Sequence, residues 1–311
     1  MADRNVRGSV LTGHFTANFA AGANRARLGP HHPMEASMTD AERVPPGVDP
    51  STPSPARLYD YYLGGVNNFQ ADRDAAERVR AVMPELSDAA WANRGFHQRA
   101  AVWMAERGIR QFLDIGSGLP TTGNTHEAVQ KAVPGARVVY VDNDPMVAAH
   151  ARDLLADDGS TEFVAGDLRD PDGLLGDPVL RRHLDLTEPV GLLMTSVVHF
   201  VADSGDPWGL VARYMTALAP GSYLALSHST MDQLPPRMVQ AGLALYANAA
   251  ERLYPRTRAE VERFFDGLEL ISPYEGAESA ITHVGLWGAE DPASADSDGS
   301  RVIYCAVARR P

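Results

Sequence analysis

The chain has 311 residues, of which 44% are apolar and 22% are charged, and its formal net charge is −12. No stretch approaches the ~20 uninterrupted apolar residues of a membrane helix, and the acidic balance weighs against a nucleic-acid partner, because binding phosphates needs a basic face. The single cysteine, Cys305, excludes an intrachain disulfide and a multi-thiolate metal site. We therefore expect a soluble, cytoplasmic protein with no metal site and no membrane partner.

The first part of the chain lacks a hydrophobic period. Residues 1–52 mix Gly, Ala, Asn, Pro and Arg, which predicts a disordered extension. A secretory signal is the competing interpretation, because arginines precede Val10 and Leu11, but polar residues interrupt the apolar core that a signal needs. Met34 and Met38 are alternative starts.

After this extension the chain has the patterns of regular structure. A helix is predicted over 87–107, where apolar residues recur at helical spacing. The predicted strands are 111–115, 136–141, 161–165, 190–197, 222–227, 268–272 and 302–307. The further predicted helices are 125–133, 145–156, a region that ends near 184, 206–219, 236–252 and 257–266, and 274–301 is predicted to be a surface loop. This alternation predicts an open, doubly wound α/β sheet with right-handed crossovers.

The first predicted strand runs into a glycine-rich turn, the sequence DIGSG at residues 114–118. Its two glycines allow the backbone to turn tightly and to approach a ligand without a Cβ in the way. A dinucleotide fingerprint of the form G-x-G-x-x-G needs glycine where Thr121 stands, and the carboxylate of Asp114 is a poor neighbour for a phosphate. A nicotinamide-dependent oxidoreductase is therefore disfavoured.

Acidic residues stand at the ends of three successive predicted strands. They are Asp114, Asp142 and Asp167, and the last is followed by Leu168. A carboxylate after the second strand can accept hydrogen bonds from both hydroxyls of a ribose, and Asp167 with Leu168 can meet the amino group and ring of an adenine. Helix N-capping explains any one of these acids. Three in register with a glycine loop predict a nucleoside-binding edge.

An ordered series of motifs carries a resemblance to a known family. The motifs are 55–65 (PARLYDYYLGG), 67–69 (NNF), 71–73 (ADR), 92–94 (ANR), 112–121 (FLDIGSGLPT), 138–145 (VVYVDNDP), 167–170 (DLRD) and 196–201 (SVVHFV). In these the chain resembles the class I S-adenosylmethionine-dependent methyltransferases, and most of all a bacterial S-adenosyl methyltransferase family. The resemblance implies a mostly parallel, seven-stranded, Rossmann-like sheet. It also implies a disordered extension (1–52), an N-terminal helical lid (53–108) and a Rossmann-like domain (109–311) with a helical insertion at about 231–266.

The resemblance also implies a cofactor, S-adenosyl-L-methionine, with S-adenosyl-L-homocysteine as its product. The cofactor-binding residues that it implies are Asp114, Gly116, Ser117, Gly118, Asp142, Asn143, Asp167, Leu168, Ser196, Tyr62 and Asn68. The glycine loop would lie under the methionine part with Asp114 near its ammonium, Asp142 would hold the ribose, and Asn143 would pack against the adenine. Tyr62, Asn68 or both would reach the cofactor from the lid.

Methyl transfer is an in-line displacement at a carbon that the sulfonium already activates, so positioning is the main task and no metal is required. A base is needed only if the acceptor must lose a proton. His199 follows the apolar fourth strand and is the candidate catalytic base. The alternative is a packed histidine that shapes the pocket, and His228 after the fifth strand is interpreted as a structural or acceptor-side contact.

Two functional hypotheses therefore stand. The first is a methyltransferase that acts on O, N or C of a small-molecule acceptor. The second is a non-catalytic protein that holds S-adenosylmethionine or S-adenosylhomocysteine as a sensor or partner module. They differ in methyl turnover, and the acidic charge disfavours a nucleic-acid acceptor for either.

Overall fold

The structure, a computed structural model, describes residues 44–121, 123–154, 159–232, 234–247 and 249–311. Most of the predicted extension, with the alternative starts Met34 and Met38 and the signal-like stretch, lies outside the described residues. The strands are β1 (Gln111–Ile115), β2 (Arg137–Asp142), β3 (Thr161–Ala165), β4 (Gly191–Thr195), β5 (Tyr223–Ser229), β6 (Glu269–Leu270), β7 (Thr282–His283) and β8 (Ile303–Arg309). The helices are α1 (Pro55–Tyr62), α2 (Gln70–Arg80), α3 (Leu86–Glu106), α4 (Thr125–Ala132), α5 (Pro145–Leu154), α6 (Pro171–Gly176), α7 (Pro178–His183), α8 (Pro207–Ala217), α9 (Pro236–Ala247), α10 (Arg258–Glu262) and α11 (Pro292–Ala295).

These strands form one sheet in the order β3-β2-β1-β4-β5-β8-β6, with β7 also paired to β8. Strands β1 to β5 pair in parallel, and β8 is antiparallel to all its neighbours. The doubly wound, mostly parallel α/β fold is therefore confirmed. Within the described residues the sheet has eight strands instead of the expected seven, because β6 and β7 pair with successive parts of one edge of β8 and share the seventh position.

Both faces of the sheet are buried because alternate residues of each strand pack against different helices. Leu192 and Met194 of β4 pack with apolar residues of α6, α7 and α8. Leu193 between them packs on the opposite face with residues of α3 and α4, as does Phe112 of β1. Asp114, two residues after Phe112, consequently faces the α3–α4 layer.

The direction of the chain reverses between β1 and β4. From β1 the chain continues through β2 to β3 on one side, and it then returns to β4 on the other. In open parallel sheets the loops that follow such a pair of strands separate and leave a crevice at their carboxyl ends. The topology therefore places the loops after β1 and β4 at the expected ligand position.

The stretch 274–301 is only in part the surface loop that the sequence predicted. Trp287 in its middle is 1% exposed, and its ring packs edge-to-face on Phe96 and Trp103 of α3. The Arg99 guanidinium also donates hydrogen bonds to the carbonyls of Val284 and Trp287. The middle of the stretch therefore belongs to the core beside α3, where Ile281, Val284 and Trp287 are buried, while residues on both sides of it, such as 278–279 and 293–294, are exposed.

The helices before β1 are joined by a buried ion pair. The Arg57 Nε of α1 lies 2.8 Å from Asp72 Oδ2 of α2, and both side chains are almost completely buried. Asp72 also accepts hydrogen bonds from the backbone N–H groups of Ser54 and Phe69, and Arg57 Nη2 donates to the carbonyls of Asp49 and Thr52. Residues 49–54, which we expected partly in the extension, are thereby attached to α1 and α2. None of the described helices is long and apolar enough to cross a membrane.

We predict that Asp72→Ala lowers the free energy of unfolding by about 3–5 kcal/mol, because it leaves the buried Arg57 charge without its partner. Urea denaturation measures this change. Asp74→Ala on the exposed side of α2 is the matched control and is expected to change stability by about 0.5 kcal/mol or less. Equal effects of the two substitutions would show that the ion pair does not stabilise the fold.

Candidate functional site

A cavity of about 510 Å³ lies at the carboxyl ends of the parallel strands. The last residue of each of four strands lines it, and these are Ile115, Asp142, Thr195 and Ser229. Helices α1, α2, α3 and α9 supply the facing side chains. The cavity therefore occupies the position that the topology indicates.

The glycine loop after β1 needs both of its glycines. Gly116 has a φ of +71°, and a Cβ on it would lie 2.2 Å from Cγ2 of Val197, which follows β4. Gly118 has a φ of +68°, and a Cβ there would have no described atom within 4 Å. Both glycines and Ser117 between them line the cavity. Gly116 thus permits close contact between the two loops, and Gly118 leaves open space beside the cavity.

Asp142, the last residue of β2, lies on the cavity wall, and backbone hydrogen bonds fix its carboxylate. Its Oδ2 accepts a hydrogen bond from the Gly118 N–H at 2.9 Å, and its Oδ1 accepts one from the Asp144 N–H at 2.9 Å. Burial raises the pKa of Asp142 to about 6. The two backbone bonds orient the carboxylate, and each oxygen keeps a second lone pair for a hydroxyl of a ligand.

The third predicted acid lies beside the cavity rather than on its wall. Asp167 forms an ion pair with Arg169, 2.6 Å from Nη2, and Arg169 also contacts Glu251 at 2.9 Å. Leu168 and Asn143 do line the cavity, and Asn143 hydrogen-bonds Asp167. The structure therefore brings Leu168 and Asn143 to the site and places Asp167 behind them.

Asp114 does not reach the large cavity either, because it faces the α3–α4 layer. Its Oδ2 accepts a 2.6 Å hydrogen bond from the hydroxyl of Thr125, the first residue of α4, and lies 3.5 Å from His97 Nε2. It lines a second cavity of about 20 Å³ together with Ser117 and Gly118. Burial raises the pKa of Asp114 to about 6 and lowers that of His97 to about 3.

The end of β4 carries backbone strain. Ser196 lines the cavity with a φ of +53°, a conformation that residues other than glycine rarely adopt. Its N–H donates to Ser227 Oγ at 2.9 Å, and Ser227 Oγ donates to Asn93 Oδ1 at 2.6 Å. Asn93 in turn donates to the Tyr59 hydroxyl. This network holds the strained turn against α3 and α1. A strained backbone persists only where the surrounding structure holds it in place.

The hydrogen bond that His199 makes determines which of its ring nitrogens carries the proton. Its Nδ1 accepts the backbone N–H of Ser229 at 3.2 Å, so the neutral ring carries its proton on Nε2. Burial, with contributions from His228 and Arg256, holds the pKa of His199 well below its ordinary value. A general base needs a free lone pair towards the acceptor. His199 lines the cavity, and in this tautomer its second ring nitrogen, Nε2, carries an N–H instead of a lone pair.

His228 is a structural residue, one of the two roles that its position after β5 allowed. It is fully buried, its Nδ1 donates to the Ser229 carbonyl, and its Nε2 accepts from Arg256 Nη1 at 2.8 Å. Arg256 Nη2 also donates to Val201 O and Asp203 Oδ1. The pair thus joins β5 to the loop after β4.

The two predicted lid residues have different surroundings. Asn68 donates to Asp60 Oδ2 and the Gly65 carbonyl and accepts from Arg73, so its amide holds the turn between α1 and α2. Tyr62 lines the cavity, is 7% exposed, and its hydroxyl has no hydrogen-bond partner among the described residues. Of the two, only Tyr62 is brought to the site.

Arg94 is a cavity residue to which no role was assigned from the sequence. Arg94 of α3 lines both cavities, and its Nη2 donates to the Gly123 carbonyl, while its buried Nε has no partner in the described structure. The helical spacing of Asn93, Arg94 and His97 within the predicted helix 87–107 places them close together on one side. That spacing was the signal available in the sequence. No group of three or more His, Cys, Asp or Glu side chains in the described part of the chain could hold a metal ion.

Known proteins resemble this chain over most of its length. The model of the S-adenosyl methyltransferase family matches residues 41–311. A solved DUF574 family protein from Streptomyces avermitilis is 42% identical with a TM-score of 0.76, and the match covers 84% of this chain and 98% of that one. A "putative methyltransferase" from Thermobifida fusca is 39% identical with a TM-score of 0.77, over 86% of this chain and 98% of that one. No curated protein matches the chain.

We predict that Asp114 makes stability depend on pH. Its pKa of about 6 lies above the ordinary 3.8, so the folded state binds more protons between these values and the free energy of unfolding falls as pH rises through them. Asp114→Asn removes this cost, and the variant's stability relative to wild type is expected to rise from pH about 4 to about 7. Urea denaturation across that range tests it, with the exposed Asp74→Asn as control. A pH-independent difference would contradict the prediction.

Proposed function

The chain belongs to the S-adenosyl methyltransferase family, and on that premise we propose that it methylates a small molecule held in the cavity above the strand ends. As a member of this family it is a methyltransferase that depends on S-adenosylmethionine. The volume and the lining of the cavity are the observations that favour a small-molecule acceptor. Its volume of about 510 Å³ is within the range of small-molecule sites, and it continues from the glycine loop to apolar side chains of α2, α3 and α9.

The residues at the strand ends fit S-adenosylmethionine. Asp142 offers a held carboxylate with free lone pairs, so we assign it to the ribose hydroxyls. Asn143 and Leu168 line the adjoining wall, and we assign them to the adenine. Asp167 orients Asn143 and Arg169 from behind. When bound, the cofactor supplies a methyl group activated by a sulfonium.

The amino-acid end of the cofactor is assigned to the glycine loop and α3. Gly118 leaves open space beside Ser117, and Ser196 lines the cavity after β4. Arg94 lines both cavities, its buried Nε has no partner among the described residues, and a carboxylate is a group that satisfies a guanidinium. Asp114 lines the smaller cavity together with Arg94 and Ser117. We assign it to supporting the glycine loop and to balancing charge at the zwitterionic amino-acid end of the cofactor.

We predict that two substitutions affect two ligands differently. Asp142→Ala is expected to weaken both S-adenosylhomocysteine and methylthioadenosine by about 1.5–3 kcal/mol, because both contain the ribose. Arg94→Met is expected to weaken only S-adenosylhomocysteine, because methylthioadenosine lacks the amino-acid carboxylate. Calorimetric titration measures these affinities, with Asp74→Ala as the control variant and NAD as a ligand that should not bind. Equal weakening of both ligands by Arg94→Met would refute its role, and binding of NAD alone would refute the cofactor site.

Methyl turnover tests the proposed function as a whole. Incubation with S-adenosylmethionine and a small-molecule library is expected to yield S-adenosylhomocysteine in an acceptor-dependent manner, and this product should be absent with Asp142→Ala at limiting cofactor. Cofactor binding without turnover of any library member would contradict the proposed small-molecule acceptor.

We propose that His199 positions the acceptor by donating from Nε2. With an acceptor from that library, kcat is expected to show no inflection near the ordinary histidine pKa of 6.5, because the ring is neutral on both sides of it. His199→Gln, which keeps an N–H donor, should retain kcat within about tenfold, and His199→Ala should leave cofactor affinity within about threefold. A loss of ~10²–10⁴-fold in kcat for both variants, with a profile that rises through 6.5, would restore the base role.

A further inference from the structure

Beyond the glycine loop the cavity ends in an apolar region, which we call the distal pocket. It is lined by Tyr62 of α1, Val79 of α2, Met83, Leu86 of α3, and Leu245 and Tyr246 of α9. These residues belong to one apolar cluster, which is separate from the two clusters that flank the sheet. The distal pocket is therefore the part of this one cavity that is lined by residues outside the sheet, and it includes none of the strand-end residues assigned to the cofactor.

The distal pocket has no formal charge among the six residues that define it. Three arginines of the described residues line the cavity wall, and one of them, Arg94, is assigned above to the carboxylate of the cofactor. Arg57 is paired with Asp72, and Arg169 is paired with Asp167 and Glu251. A charged group placed here would lose its water without gaining an ion pair, which costs several kcal/mol or forces it to become neutral. The pocket therefore selects an uncharged ligand.

Aromatic rings connect this pocket to the site of chemistry. The ring centroids of His199 and Phe200 are 4.4 Å apart, and those of Phe200 and Tyr246 are 5.7 Å apart. Tyr246 lies close enough to Tyr62 to contribute to raising its pKa. The row runs from the end of β4 to α1. Such rows favour flat aromatic ligands, which make offset and edge-to-face contacts with them, and the Met83 thioether adds a favourable contact with a ring.

One polar atom in the distal pocket lacks a partner. The hydroxyl of Tyr62 is buried and makes no hydrogen bond to any described residue. Burial raises the pKa of Tyr62, so the phenol stays protonated and can donate. A buried donor without an acceptor costs about 1–3 kcal/mol. A ligand oxygen or nitrogen would remove that cost.

We propose that the methyl acceptor is an uncharged aromatic molecule whose ring occupies the distal pocket and one of whose oxygen or nitrogen atoms accepts a hydrogen bond from the Tyr62 hydroxyl. The proposal rests on the proposed function and names the substrate class of that site. It also separates Tyr62 from the cofactor residues and assigns it to the acceptor.

The test uses three two-ring probes of similar shape on the full-length protein saturated with S-adenosylhomocysteine. The neutral aromatic probe is 2-naphthol, the saturated analogue is decahydro-2-naphthol, and the charged analogue is 6-hydroxy-2-naphthalenesulfonate. Calorimetric titration is expected to give 2-naphthol the highest affinity, about tenfold or more above the sulfonate. Failure of S-adenosylhomocysteine to bind would contradict the proposed function. Binding of S-adenosylhomocysteine without binding of 2-naphthol would contradict only the inference about the acceptor.

One substitution and its matched control test whether 2-naphthol binds at the α9 side of the cavity. Gly242 of α9 lines the cavity, and a Cβ on it would lie 3.1 Å from the Met231 Cε and 3.9 Å from the Met83 Sδ. Gly242→Leu is therefore expected to weaken 2-naphthol by about tenfold or more while S-adenosylhomocysteine affinity stays unchanged. Ala247→Leu, an exposed position on the same helix, is the matched control and should change neither affinity.

Tyr62→Phe provides a substitution that keeps the ring and the packing. It is expected to reduce the affinity of 2-naphthol by about fivefold and to leave naphthalene, which has no hydroxyl, unaffected. The sulfonate binding as tightly as 2-naphthol, or 2-naphthol binding undiminished in Gly242→Leu, would overturn the proposal. Weakening of S-adenosylhomocysteine by Tyr62→Phe, with 2-naphthol unchanged, would return Tyr62 to the cofactor site and also overturn it.

Discussion

The parallel pairing of β1 with β2 on one side and with β4 on the other is the constraint on which the functional site depends. It forces the loops after β1 and β4 to leave the sheet as neighbours, and Gly116 meets Val197 so closely that no side chain fits between them. The glycine loop, the held carboxylate of Asp142 and the strained Ser196 are all arranged around this junction. The position of the proposed cofactor site follows from sheet topology before any particular side chain is considered.

The helices before β1 complete the cavity, and they are attached to it by buried polar contacts. Arg57 and Asp72 hold α1, α2 and residues 49–54 together. The chain of hydrogen bonds from Ser227 through Asn93 to Tyr59 connects the sheet to α3 and α1. A motif that marks the family can therefore serve the fold, the site or both. The distal pocket exists because these contacts hold α1 to α3 beside α9.

Strand periodicity and glycine chemistry were sufficient to predict much of this protein. Strand β1 has the predicted bounds, and Asp142 lies on the cavity wall at the end of β2. Other residues were placed by packing that no local pattern shows. Asp114 and Phe112 share a face of β1, so Asp114 meets Thr125 and His97 instead of the large cavity. Trp287 is buried by distant residues of α3, so the length of the stretch 274–301 by itself suggested a surface loop.

The sequence by itself determined the fold class and the edge of the sheet at which the cavity lies, because alternating β-branched and helical stretches and a glycine turn are local signals that report directly on backbone geometry. Only the tertiary structure decided the chemistry of individual groups. The tautomer of His199 depends on the Ser229 N–H. The Tyr62 hydroxyl has no partner in the described part of the chain because of what α2 and α9 leave around it. Hydrogen-bond polarity and burial arise between residues far apart in the chain, so they exist only once it has folded.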